Sequence, residues 1–412
     1  VSREFDAVVV GAGVVGTVAA SLLIAHKICP PARIALVADR LPQAPLPGSD
    51  WDLRVFALSR ASERVLGEAG VWDRIPRDRI SAYERMCVWD ATGAAGERGS
   101  LCFDSAEIGE ANLGSIVDGR VLQAQSLRAA RAAGVVMIET AISNLEVTAA
   151  GVRLVLADGR ELEAQLTLAA DGTESKIRAL AGIATAGHAY AQDALVAHVR
   201  TTRPHRNTAW QRFLPTGPLA FLPLPDGRSS IVWSTERALA ARLRRLAKDE
   251  FEGELTEASA RVLGDVSLAS AIGSFPLRLQ YAQSYVAPRI ALLGDAAHVV
   301  HPLAGQGLNL GLLDCAALVE VLENRADGAL GDLSVLRRYE RWRKSENLVA
   351  ATAFDGLERL FSLRGSWISG LRVFGLDVVG GVPWLRRALA RRALGLSGDV
   401  PTLRVDRPLP RR

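Results

Sequence analysis

Two groups of residues in this chain have the types and spacing for chemistry on a flat, phosphate-bearing ligand. The first is Gly11-Ala12-Gly13-Val14-Val15-Gly16; the second is Gly294-Asp295-Ala296-Ala297-His298, followed by Pro302 and Gly305-Gln306-Gly307-Leu308-Asn309. In the first, Gly11 permits a tight turn, Gly13 lets backbone approach a pyrophosphate, and Gly16 allows close helix–strand packing. A helix opening there turns its free N–H groups and positive dipole end toward the phosphates. In the second, Asp295 follows the apolar run 290–293 and can accept hydrogen bonds from ribityl hydroxyls. The glycines after it open a helix whose N-terminus carries partial positive charge. Aimed at the pyrimidine end of an isoalloxazine, that field stabilises the charge of the reduced ring. Together the groups point to a flavin held at its phosphates and its ring. A ligand-free tight turn and a helix capped by Asp295 are the bland alternatives; three glycines and a proline exceed what a cap requires.

The elements around these residues support that placement. Residues 5–10 read as a strand ending at Gly11, 17–26 as a helix and 33–38 as a second strand, which makes a right-handed parallel βαβ unit. An acid about 20 residues after the glycine loop is expected to bind a ribose diol. Asp39 is the candidate, one place beyond Ala38 at the end of the apolar run. Residues 120–133 read as a helix, and 152–156 with 161–169 as a hairpin about Asp158-Gly159. Between Trp210 and Trp233, turn chemistry at 215–218 and 225–227 separates strand-like segments of an antiparallel sheet. Residues 336–396 read as mostly helical.

At 412 residues, two domains are expected. Apolar residues at 49% and charged residues at 23% argue against disorder. A net charge of +4 is too mild to select a partner. Cys29, Cys87, Cys102 and Cys315 lack CxxC spacing, so neither a metal site nor a disulfide framework is expected and a reducing, cytoplasmic compartment fits. The N-terminus runs straight into a strand, without a signal peptide, and no apolar run reaches the roughly 18 residues of a membrane span.

Further motifs carry a family resemblance: Asp52-Leu53-Arg54-Val55-Phe56-Ala57-Leu58-Ser59, Gly70-Val71-Trp72, Ala170-Asp171-Gly172 through Arg178, the block 294–314, and the ending Gly395-Leu396-Ser397-Gly398-Asp399-Val400-Pro401. With the glycine loop, these make the chain resemble the class A FAD-dependent aromatic monooxygenases of para-hydroxybenzoate hydroxylase-like fold, most of all the ubiquinone-biosynthesis hydroxylases. The resemblance implies an α/β (mixed α+β) fold. A Rossmann-like FAD-binding domain (1–77, 101–183, 283–335) is interleaved with an antiparallel-sheet substrate domain (78–100, 184–282), and a helical region closes the chain (336–412). It places Arg54, Arg120, Gln123, Asp171 and Gly172 beside FAD, with Gly11, Gly13, Val15, Gly16, Asp39, Asp295, Pro302, Gly305, Gln306, Gly307, Leu308 and Asn309. Arg178 is expected to hold the Asp-Gly segment by a salt bridge or cap, and His298 to pack beside the FAD. Ala38 stands where the family usually has an acid, and Gly119 where many members have asparagine.

The implied reaction is hydroxylation of the ring of a polyprenylated phenol: NAD(P)H reduces FAD, O₂ gives a flavin C4a-hydroperoxide, and one oxygen passes to the ring. Trp210, Phe213, Phe221, Leu222 and Trp233 are expected to roof the ring or to be plain core. His301 is the candidate base. The basic stretch 384–394 suits a peripheral position at the inner membrane surface or in a quinone-biosynthesis complex, with a solvated helix as the alternative. A small soluble phenol as substrate, or a non-catalytic FAD-binding component of such a complex, are the competing readings.

Overall fold

A central strand that is apolar on both faces must be covered on both sides, and this decides where the first glycine loop sits. In the computed structural model, which describes residues 3–97, 99–300, 306–325, 329–362, 382–401 and 403, the strand Arg3–Val10 is buried continuously from Ala7. It pairs in parallel with Ile34–Ala38 on one side and Glu161–Ala169 on the other. The sheet runs Val286–Ala287, Ile290–Leu292, Glu161–Ala169, Arg3–Val10, Ile34–Ala38, Val136–Glu139. Val152–Leu156 and Ile142–Val147 extend it antiparallel from Glu161–Ala169, as the Asp158-Gly159 turn predicts. The helix Val14–Ala25 packs on this sheet between Gly119–Ala132 and Gln306–Glu323, touching both. Both expected glycine groups therefore lie at the carboxyl ends of the two parallel strands that flank Glu161–Ala169, where open α/β sheets bind ligands.

A second sheet has nine strands in the order His298–Val299, Gly273–Ala282, Thr185–Thr201, Ser229–Glu236, Gly217–Pro223, Thr208–Leu214, Arg85–Asp90, Ser100–Asp104, with Val266–Leu268 beside Thr185–Thr201. It is antiparallel except where Thr208–Leu214 runs parallel to Arg85–Asp90. Side chains alternate across it. On the outer face Leu195, Leu219, Phe221, Ile231 and Trp233 form a core with Phe251 and Leu255 of the helix Lys248–Ala258. On the inner face Leu222 joins Trp51, Ala57 and Ile116 from the other side of the molecule. Of the two readings of these side chains, plain core holds for Phe221 and Trp233, with Trp210 packed against them, and Leu222 alone of the four points inward. Phe213 lies opposite Pro218 and is buried.

The expectation of unpaired cysteines is corrected. Cys87 and Cys102 sit directly opposite on the antiparallel strands Arg85–Asp90 and Ser100–Asp104 and form a disulfide, while Cys29 and Cys315 are free and buried. Cysteines 15 residues apart show no motif; cross-strand register brings them together.

The helix Leu333–Ser362 ties the C-terminal region to the first sheet. The Tyr339 hydroxyl donates to the Leu292 carbonyl at 2.7 Å, and Glu340 accepts from Ser284 and from the Tyr285 N–H. The basic stretch forms the helix Pro383–Ala393. Among the described residues no helix is long and apolar enough to cross a membrane.

Candidate active site

The three glycines of the first loop divide their work by space. Gly11 has φ +113°, and a Cβ there would lie 2.2 Å from the Ala170 carbonyl oxygen; one on Gly16 would lie 2.0 Å from the Gly11 oxygen. These two positions are closed by protein. A Cβ on Gly13 would meet nothing within 4 Å, so this is the side on which a ligand can approach backbone. Gly13 is also the N-cap of Val14–Ala25, with no side-chain cap bond and no acid in the first turn. The helix N–H groups are thus left for an anion. The Val15 side chain faces the other way: Cβ atoms on Gly294 and Gly311 would lie 3.1 and 2.8 Å from its Cγ2. The two glycine groups, remote in sequence, pack directly on each other through Val15.

The second group follows the strand Ile290–Leu292 as a single 3-10 turn, Gly294–Ala296, and leads into His298–Val299. Asp295 is half-buried on this turn. His298 is buried beside the turn, with its Nε2 2.6 Å from Asp314 Oδ2 and its ring against Tyr285. Asp314 also accepts from the Gly294 N–H at 3.1 Å, Arg343 Nε at 2.8 Å and Asn347 Nδ2 at 3.2 Å. Burial alone would raise the Asp314 carboxyl, but His298 and Arg343 outweigh it and hold it well below the usual carboxylate range. Sequence reasoning missed this buried network, whose partners come from three separate elements.

His301, Pro302 and Gly305 lie outside the described residues. Gln306 opens the helix Gln306–Glu323, which has no acid in its first turn. A Cβ on Gly307 would meet nothing within 4 Å, leaving open space beside the first turn, and Leu308 packs on the main core. The Asn309 side chain is spent on protein. Its Oδ1 accepts from the Ser59 N–H (2.9 Å) and Ser62 Oγ (2.6 Å), and its Nδ2 donates to the Ala57 carbonyl (2.8 Å).

The segment before Ser59 is pinned from several sides. The Asp52 N–H donates to Asp118 Oδ2 at 3.1 Å, and the Gly119 N–H donates to the Arg54 carbonyl at 3.0 Å. A Cβ on Gly119 would stand 2.4 Å from that carbonyl, so this chain has no room there for a side chain without a shift. Arg54 is exposed, its guanidinium 5.0 Å from the centre of the Phe56 ring. Arg120 reaches Asp52 at 3.7 Å, and Gln123 is half-buried on the same helix, one turn in. Asp39 is exposed just past Ile34–Ala38. Asp171 accepts from Ser175 Oγ (2.6 Å) and the Ile177 N–H (3.1 Å), holding the start of the short helix Lys176–Leu180. Next to it Gly172, φ +81°, borders open space. The Arg178 guanidinium donates to the carbonyls of Ala296 (2.9 Å) and Thr173 (2.8 Å), binding the Asp-Gly segment to the Asp295 turn through carbonyls rather than a salt bridge, while its backbone N–H donates to the Ser175 cap at 3.0 Å.

Comparison with known proteins shows which cofactor class this architecture holds. Residues 4–352 match a family described as FAD binding domain. The chain is 33% identical to 3-demethoxyubiquinol 3-hydroxylase of Escherichia coli K12, covering 96% of this chain and all of that protein. It is 34% identical to ubiquinone hydroxylase UbiL of Rhodospirillum rubrum, covering 98% and 93%. The chain belongs to the FAD-dependent ubiquinone-biosynthesis hydroxylase family. Among solved structures, p-nitrophenol 4-monooxygenase PnpA from Pseudomonas putida DLL-E4 superimposes with a TM-score of 0.74 over 97% of this chain and 100% of that one, at 18% identity, which speaks for the fold. The hydroxylase architecture suits FAD: there is open space at Gly13, Gly172 and Gly307, the helix start at Gly13 has no side-chain cap, and neither it nor the helix Gln306–Glu323 has an acid in its first turn. Sequence reading of this hydroxylase also missed the inner wall of the second sheet. There Gly273 lies beside Val196 and Leu53, and Phe275 is 49% exposed.

Proposed function

We propose that the chain hydroxylates the aromatic ring of a polyprenylated phenol in ubiquinone biosynthesis, with NAD(P)H as reductant and O₂ as co-substrate. One observation carries this reading: near full-length identity of 33% and 34% to two hydroxylases named for ubiquinone and its demethoxy precursor. Bound FAD supplies the electron-transfer and oxygen chemistry, and the chain supplies placement and dryness. In this reading the Gly11–Gly16 loop and the start of Val14–Ala25 hold the pyrophosphate, Asp39 the ribose diol, and Asp295 the ribityl chain. Arg54, Arg120, Gln123, Asp171 and Gly172 flank the cofactor, and the start of Gln306–Glu323 faces the ring. His301 is our candidate base. Phe275, exposed on the inner face two residues from Gly273, supplies an apolar wall for a prenylated ring.

A membrane-dissolved substrate calls for access from a lipid surface. We assign that contact to the helix Pro383–Ala393, where Trp384 is 71% and Leu389 41% exposed among arginines. The helix is tied to the body by Arg386–Glu107 at 2.8 Å and Arg392–Glu346 at 3.4 Å. Anionic vesicles are expected to pull down the full chain but not a Trp384→Ser, Leu389→Ser variant that still binds FAD. The reaction itself is tested in a strain lacking this gene. Mass spectrometry should show a prenylated phenol that accumulates and is consumed on restoring the chain; accumulation of a water-soluble phenol alone would sink the assignment.

A further inference from the structure

The short run from Asp50 to Arg54 is gripped from two sides, by the second sheet and by the junction of the strand Gly114–Asp118 with the helix Gly119–Ala132. From the second sheet, Arg228 forks onto the Asp50 carboxylate (2.9 and 2.5 Å) while its Nε donates to Asp226 at 2.7 Å, and His198 Nε2 lies 3.1 Å from the Asp52 carbonyl. From the junction, Asp118 takes the Asp52 N–H and Gly119 holds the Arg54 carbonyl. Trp51, between the two outer grips, is buried with Leu222 and Leu224 of the second sheet. A carbonyl only accepts, so His198 must carry its proton on Nε2; its Nδ1 is buried with no partner among the described residues. Burial pushes the His198 pKa below its usual value, which favours that neutral donor.

His198 shares a strand face with Val196, two residues before it. Val196 packs at the Gly273 position, where a Cβ would lie 3.0 Å from Val196 Cγ2 and 3.6 Å from Leu53 Cδ1. Whatever fills the inner face at Gly273 and Phe275 thus presses on Leu53, between the Asp52 carbonyl that His198 holds and the exposed Arg54.

Resting on the hydroxylase reading above, we propose that His198 and Arg228 are positioning residues: by pinning Asp50 and Asp52 to the second sheet they couple occupancy of its inner face to the placement of Arg54, and so to the environment of the flavin. The coupling runs through a rigid five-residue bridge and involves no contact between either residue and the cofactor.

The test uses the full-length FAD holoenzyme and records the visible flavin spectrum while 2-geranylphenol is added. The wild type and His198→Gln, whose amide can still donate to Asp52, are expected to show the same spectral response. In His198→Leu the response falls about fivefold, the lower end of ordinary site–site coupling, with FAD still bound. Arg228→Gln leaves the core filled and frees a solvated carboxylate, so it serves if His198→Leu does not fold, and it is expected to lose the response likewise. An undiminished response in either folded variant overturns the proposal, as does a wild-type spectrum that ignores the phenol. Failure of the hydroxylase reading would show separately, as a wild-type holoenzyme whose spectrum responds to the phenol but which forms no hydroxylated product when NAD(P)H and O₂ are supplied.

Discussion

Gly13 and Gly16 are three residues apart in one motif, yet space around them differs so much that the same substitution should have opposite consequences. A Cβ on Gly13 points into open space, whereas one on Gly16 collides with the Gly11 backbone. Gly13→Ala is therefore expected to leave the apoprotein melting temperature nearly unchanged while weakening FAD binding by about tenfold, roughly 1.4 kcal/mol. Gly16→Ala is expected to destabilise the fold before any cofactor is added. Fluorescence titration with FAD and apoprotein melts, run on both variants, separate the two effects; equal melting losses would refute the division of labour. Arg343 makes a second case at this scale. Replacing it with Met leaves the Asp314 carboxylate, buried with His298, without its arginine partner, and breaking such a buried pair costs about 3–5 kcal/mol. Urea unfolding measures this, and a cost under about 1 kcal/mol would show that the network contributes little beyond packing.

Asn309 shows how one element is fixed to another. It sits in the first turn of Gln306–Glu323 and closes the exit of the strand Val55–Leu58 and the start of the helix Arg60–Glu68. Leu at this position would leave the Ser59 N–H and Ala57 carbonyl buried without partners, at about 1–3 kcal/mol each. The expected result is a lower urea midpoint accompanied by weaker FAD binding, because the helix start and the Arg54 segment lose their common reference. Loss of stability with unchanged FAD affinity would show that the helix start holds its place by other contacts. In the second sheet, the Cys87–Cys102 link joins two neighbouring strands at the sheet edge. Closing a loop of about 15 residues stabilises by up to roughly 3 kcal/mol through the unfolded chain. Peptide mapping without reductant should recover the two cysteine peptides joined, and recovery of both as free thiols would remove the link.

For the whole molecule, acid sensitivity should begin well above the carboxylate range. Burial lowers the pKa of both His198 and His205 from 6.5. Above that value the imidazoles are neutral in folded and unfolded chains alike, so they add no pH dependence. As the pH falls through 6.5 the unfolded chain takes up protons that the folded one resists, and stability drops. Asp50 and Asp314, held below their usual range by Arg228 and by His298 with Arg343, add losses only lower down, as the pH approaches 3.8. Melting temperature is expected to decline between about pH 6.5 and 5, and to decline less steeply in His198→Gln. An identical slope in that variant would locate the acid-sensitive groups elsewhere.

The sequence by itself determined the parallel βαβ unit, the glycine loop at its first turn and the family, because glycine spacing and apolar runs are local signals that a single strand–turn–helix satisfies. It also located the open-space positions Gly13 and Gly307, though without showing why Gly13 differs from Gly16. What only the tertiary structure decided is which side chains are spent on protein and which are left for the ligand. Asn309 and Asp171 hold other elements, His298 lies beside the Asp295 turn, and Phe221 and Trp233 face away from the site. A side chain's partner can lie hundreds of residues away, as Ser59 does from Asn309, and no local pattern encodes that distance. The Cys87–Cys102 pair and the His198 bond to Asp52 likewise depend on strand register and sheet-to-sheet packing, which long-range burial settles only once the whole chain has folded.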